Sequence, residues 1–210
     1  MIHPSRFLRI AAALGFCVAG RMPAQAGARA SAPPAAPVAP RLSEMTASRM
    51  LLLPAQEVAG VADTRQWLAR FDSVLTSKLV AGGIGSGWAY PRDAVRYARN
   101  NPTYVSDPHA MGTQLLKSDA ADKGFSLFEP FASRLRTILA VADARDAIVP
   151  VVATLDTVAQ PATAKMKLVF VDGRGSKLIA SIILDVKYAG QASAAADSLA
   201  SAVARLFVLQ

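Results

Sequence analysis

Apolar positions along this chain follow two rhythms, and each predicts a kind of element. Trp67, Phe71, Leu75 and Leu79 recur at a spacing of four, with Leu68 and Val74 widening the stripe. That spacing marks the buried face of a helix. Asp63 stands where an N-cap belongs, and Gly82-Gly83 where the helix must end. Pro91 suits a first helical turn, and Ala94, Val95 and Ala98 give a second, short helix an apolar side until Asn100-Asn101-Pro102 stops it. Within residues 128–142, Phe128, Phe131, Leu135, Ile138 and Leu139 share a third helical face. A fourth helix is predicted over residues 191–208, with Ala195, Leu199, Ala202, Val203 and Leu206 inward. Its many alanines imply close packing against a sheet.

The second rhythm is short and strand-like. Residues 49–54 (RMLLLP) form an apolar run stopped by proline, which at that length predicts a buried strand. Trp88, Ala89 and Tyr90 look like another. Residues 147–155 (AIVPVVATL) are rich in β-branched side chains, and Pro150 among them requires an edge, a bulge or a strand start. Residues 165–171 alternate: Met166, Leu168 and Phe170 on one face, Lys165, Lys167 and Val169 on the other. Asp172-Gly173-Arg174-Gly175 then turns the chain into residues 177–186 (KLIASIILDV), which predicts a hairpin of undetermined turn type. Residues 103–124 are polar and broken, with one turn near residues 111–116. The order of elements predicts an α/β (α+β) single-domain sandwich. A mixed sheet of about four to five strands carries helices packed on it, and a C-terminal antiparallel hairpin is followed by a helix.

The amino terminus follows neither rhythm. Arg6 and Arg9 precede an uncharged run of 11 residues, 10–20, and Pro23-Ala24-Gln25-Ala26 supplies a small-residue exit. This is the layout of a secretory signal peptide. The apolar run falls short of the ~20 residues that a membrane span needs, so a cleaved segment is expected rather than an anchor. Cleavage is expected after Ala26 or, at a second A-x-A ending, after Ala30. Arginines are never adjacent there, which points to the general secretion route. Cys17 would be the site of a lipid anchor in a bacterial lipoprotein, but Phe16 is too bulky for the position before the cut. A lipid anchor at Cys17 is therefore not expected. The predicted organisation is a signal peptide over 1–26, an Ala/Pro-rich disordered tether over 27–45 and an α/β domain over 46–210. The product is expected in the periplasm or outside the cell, with no stable membrane span.

Processing changes the chemistry as well. Cys17 is the only cysteine, so the processed chain has no disulfide, thiolate metal site or cysteine nucleophile. Removing Arg6, Arg9 and Arg21 lowers the net charge from +8 to +5. The remaining Lys and Arg are scattered along the sequence, and no window has the basic cluster of a nucleic-acid face. His109 is the one histidine left, too few for a zinc site or a recognisable triad. The carboxylates are sparse and mostly placed for capping. Gly85-Ser86-Gly87 lacks the strand and histidine of a nucleophile elbow. The glycine-rich residues 82–87 follow a helix, whereas a phosphate cradle follows a strand. No catalytic residue, cofactor or metal ligand is predicted. If the polar segment covers a pocket, His109, Asp107 and Asp119 would line it beside Trp88 and Tyr90.

Leu168-Val169-Phe170-Val171-Asp172-Gly173-Arg174-Gly175-Ser176-Lys177-Leu178-Ile179 resembles the hairpin of one group of bacterial envelope domains. These are the TolB amino-terminal domain, the LpoB-type activators and the CsgG-like lipoproteins. Residues 49–54 resemble their opening strand, and the likeness spans residues 48–208. The missing lipid-bearing Cys and the polar insertion at 103–124 depart from the pattern. The resemblance implies a non-catalytic module that binds another envelope protein. The alternative is a periplasmic enzyme or small-ligand binder with a pocket near residues 103–124.

Overall fold

The computed structural model describes residues 48–84, 87–118, 120–159 and 161–208. The expected signal peptide, the tether and Asp119 lie outside the described residues.

The strands are β1 (Met50–Leu52), β2 (Val58–Ala59), β3 (Trp88–Ala89), β4 (Asp146–Asp156), β5 (Ala162–Asp172) and β6 (Lys177–Tyr188). The helices are α1 (Thr64–Ala81), α2 (Pro91–Asn100), α3 (Phe131–Ala142) and α4 (Ala192–Val208), with a 3-10 turn at Gln114–Lys117. The strands form one mixed sheet of six in the order β3-β1-β4-β5-β6, with the short β2 paired to β4 beyond the end of β1. β1 runs parallel to both β3 and β4, whereas β4, β5 and β6 are antiparallel. The α/β (α+β) architecture stands as the apolar pattern predicts. The sixth strand is β2, whose two residues are too few to leave a periodic signal.

Both faces of the sheet are covered, because alternate side chains of each central strand point opposite ways. Met50, Leu52, Ile148, Leu168 and Phe170 pack under α1 and α4, against Phe71, Leu75, Leu199 and Val203. Leu51, Leu53, Val149, Val169 and Val171 face the other way, toward Phe131, Leu135 and Ile138 of α3. This explains why β1 reads as an unbroken apolar run. It also places Lys167, expected on a polar face, at 6% exposure. Its Nζ reaches the Ser118 carbonyl at 2.6 Å.

Asp63 caps α1 as predicted, its carboxylate accepting the Gln66 N–H at 2.9 Å. α1 lies along α4, held by Trp67 Nε1 donating to the Ala192 carbonyl at 2.8 Å and by a two-pronged Arg70–Asp197 pair at 2.9 and 2.6 Å. Gly82 is required where these helices meet, since a Cβ there would come within 2.4 Å of Val208. α4 buries Ala195, Leu199 and Val203 as expected, together with Ala196, Ala200, Ala204 and Phe207, while Ala202 and Leu206 are only half-buried at the flank. With alanine on most sides, the sequence marks that face poorly, and the contact with α1 decides it. α3 begins at Phe131, later than the apolar spacing suggests, because Pro130 stands before it.

Pro150 sits at a bulge in the interior of β4, where the register to β5 shifts between Pro150 and Val152. The Pro150 carbonyl accepts from Gln56 at 3.0 Å in the gap between β1 and β2. At the hairpin, Asp172 Oδ1 accepts the Arg174 N–H at 2.9 Å and Ser176 takes a left-handed φ of 48°. The outer edge of β6 is covered at its start by residues 124–127. Gly124 donates to the Leu178 carbonyl at 2.8 Å, and Leu178 donates back to the Phe125 carbonyl at 2.9 Å.

Candidate functional site

α1 and α2 enclose a cleft of about 360 Å³ beneath the loop that carries His109. α1 contributes Ala69, Asp72, Ser73 and Thr76, and α2 contributes Pro91, Arg92 and Val95. The floor of the cleft is its unusual part. Asp72 follows Phe71 on the buried side of α1 and is only 8% exposed. Its Oδ1 accepts the Ala55 N–H at 3.0 Å. Burial pushes the carboxyl up to about 7, outweighing the opposite pull of that hydrogen bond. No ion pair among the described residues includes Asp72.

The loop over the cleft is tied down. Gln56 Nε2 donates to the Pro108 carbonyl at 2.8 Å, and its Oε1 accepts the Met111 N–H at 3.1 Å. Val105, Met111 and Leu116 are buried, which roots the polar segment in the α3 side of the core. Asp107 Oδ1 accepts the His109 N–H at 2.9 Å and so fixes the backbone at His109. Of the residues singled out in the sequence, His109 lines the cleft and Asp107 braces it from outside. Trp88 and Tyr90 lie elsewhere, each 7% exposed in the core beneath α1 and α4. Trp88 meets Phe207 edge-on at 5.2 Å, and the Tyr90 hydroxyl donates to the Ile84 carbonyl. Asp119 lies outside the described residues. Asp72 is the residue that sequence reasoning missed. Its signal was the spacing Leu68, Asp72, Leu75, Leu79, an acid set within the apolar stripe of α1.

A second feature appears at the end of the sheet where β1 and β4 start and the β5–β6 hairpin turns. Three adjoining depressions share residues there: Arg49 and Ala144 join the first to the second, and Asp93 and Arg96 join the second to the third. Together they make a groove carrying Arg174, Arg145, Arg49, Arg96, Arg92 and Arg99. Asp143 pairs with Arg49, and Asp93 pairs with Arg96 at 2.8 Å. Arg145 lies 3.8 and 3.9 Å from Asp146 and Asp172. Arg92, Arg99 and Arg174 form no ion pair among the described residues. The groove escapes a windowed reading because its arginines come from four separate segments. Only Arg92, Arg96 and Arg99, at i, i+4 and i+7 of α2, share a stripe visible in sequence.

No protein-family model matches the chain, and no curated protein matches it. Among solved structures it is similar to the C-terminal domain of LpoB from Salmonella enterica, one of the domain types named from the hairpin. That likeness has 12% identity and a TM-score of 0.43 over 70% of this chain and 93% of that one. It is also similar to the PelC dodecamer protein of Paraburkholderia phytofirmans, with 13% identity and a TM-score of 0.39 over 78% and 89% of the two chains. Lipoprotein GNA1162 from Neisseria meningitidis gives 18% identity and a TM-score of 0.35 over 73% and 91%. No helix among the described residues is long and apolar enough to cross a membrane.

Proposed function

We propose that this chain is an exported bacterial cell-envelope protein that works as a non-catalytic interaction or assembly module. The observation that carries this reading is the arginine-lined groove. Guanidinium groups are planar forks that match carboxylates in pairs, and they are weakly enough hydrated to serve at interfaces. Concentrating six of them along one groove, three without an ion pair among the described residues, favours an acidic surface on a partner protein. The signal peptide expected from residues 1–26 supports an encounter in the envelope. Charge of this kind speeds encounter and sets orientation more than it adds affinity, so binding should weaken steeply with salt.

A photo-crosslinking residue in place of Arg99, used in the bacterium that makes the protein, tests the reading. The expected product is a discrete adduct with one envelope protein, lost when Arg92 and Arg96 are changed to Glu. Changing Lys165 and Lys187, toward the far ends of β5 and β6, to Glu should leave the adduct in place. Adducts with lipid alone, or adducts equally sensitive to both charge reversals, would sink it. The second reading, a small-ligand binder, is favoured by one observation, the buried Asp72 carboxyl in the cleft, which has no ion pair among the described residues.

A further inference from the structure

We propose that the cleft between α1 and α2 is a binding site for a small zwitterion of the amino-acid or short-peptide type. Its ammonium group would be held by Asp72 and its carboxylate by Arg92 and His109. The cleft shares Arg92 with the groove, but its other residues lie outside the groove, and Asp72→Asn tests the cleft alone.

Three observations lead there. The cavity, at about 360 Å³, falls within the size of small-molecule sites. Its walls follow the usual composition, with Ala69, Pro91 and Val95 apolar and a few polar groups set among them. The decisive feature is the carboxyl on its floor. A buried carboxylate normally carries a cationic partner, because removing an unpaired charge from water is costly. Asp72 has the Ala55 amide and no cationic side chain among the described residues. A ligand ammonium would supply the missing counter-charge, and the hydroxyls of Ser73 and Thr76 stand on the same helix to accept its other protons.

The cleft is cationic on its other side. Arg92 comes from α2 and His109 from the loop, both exposed, and neither is ion-paired among the described residues. A monoamine would leave these groups unmatched, and a simple anion would leave Asp72 unmatched. A zwitterion answers both. The loop that presents His109 is fixed by Gln56 and Asp107, so the cleft exists before a ligand arrives.

Asp72 from α1 faces Arg92 from α2 and His109 from the loop across the cleft. Ammonium binding requires ionised Asp72, so affinity should rise with pH across neutrality.

Calorimetric titration of the purified protein tests the site. The probes are L-valine and L-alanyl-L-alanine, with isobutylamine and isovalerate as the two half-molecules of valine. At least one zwitterion should bind at pH 8, tenfold or more weaker at pH 5.5, and tenfold or more tighter than either half-molecule. Asp72→Asn keeps an oxygen for the Ala55 amide and should abolish binding while the protein stays folded. Arg92→Ala, a surface change, should weaken the zwitterion at least tenfold and leave isobutylamine unaffected. Equal binding of either half-molecule, no binding of any probe at millimolar concentration, or an undiminished Asp72→Asn variant each overturns the proposal.

Discussion

Asp72 makes the fold sensitive to pH. The ordinary carboxyl value is 3.8, and in the folded protein it rises to about 7. Between these limits the folded chain keeps a proton that the unfolded chain has lost, so stability falls as pH rises through that window. The loss is complete above about 7 and amounts to about 4 kcal/mol. Asp72→Asn removes the ionisation and retains the acceptor. In urea unfolding the variant should be nearly equal to the parent at pH 4 and more stable than it at pH 8.5, by up to about 4 kcal/mol. A difference that does not change between these pH values would refute the assignment. The acid was legible in the apolar stripe of α1. Its burial was not, because that depends on the segment at Ala55, which pairs with it from 17 positions away.

At the scale of elements, helices with one clear stripe were readable and those with several were not. α1 begins and ends where its cap and glycines say, since Asp63 and Gly82 act locally. α4 is alanine-rich, and the face it buries is chosen by α1 and the sheet. Pro150 announced an irregularity, and a bulge at the gap between β1 and β2 is the form it takes. The hairpin glycine has a role that its turn sequence does not reveal. A Cβ on Gly173 would meet Leu139 at 2.1 Å and the Arg145 carbonyl at 2.8 Å. Gly173→Ala should therefore destabilise the fold by roughly 1–3 kcal/mol through overpacking against α3, read as a lower urea midpoint. An unchanged midpoint would show that Leu139 can yield.

For the whole molecule, the architecture was legible because period-two and period-3.6 patterns alternate cleanly in the sequence. The surface was not, because it is assembled across segments. Arg49, Arg145 and Arg174 are far apart in the chain, and the start of β1, the start of β4 and the turn after β5 bring them to one end of the sheet. The cleft likewise joins two helices and a loop. Windowed reading of charge finds neither, and it described the basic residues as scattered.

The cover that residues 124–127 lay over the start of β6 has a consequence for the protein as a material. It stops at Leu178, and no described strand lies along the outer edge from Ile179 onward. Ile183 is 59% exposed there, with Asp185 and Lys187 as the nearby charges. An open strand templates pairing between molecules, and with no covering element there among the described residues those two charges are the expected guard against it. Replacing both with valine should leave the fold intact and lower the concentration at which light scattering first rises. A double variant as soluble as the parent would mean that the edge is guarded by its twist instead.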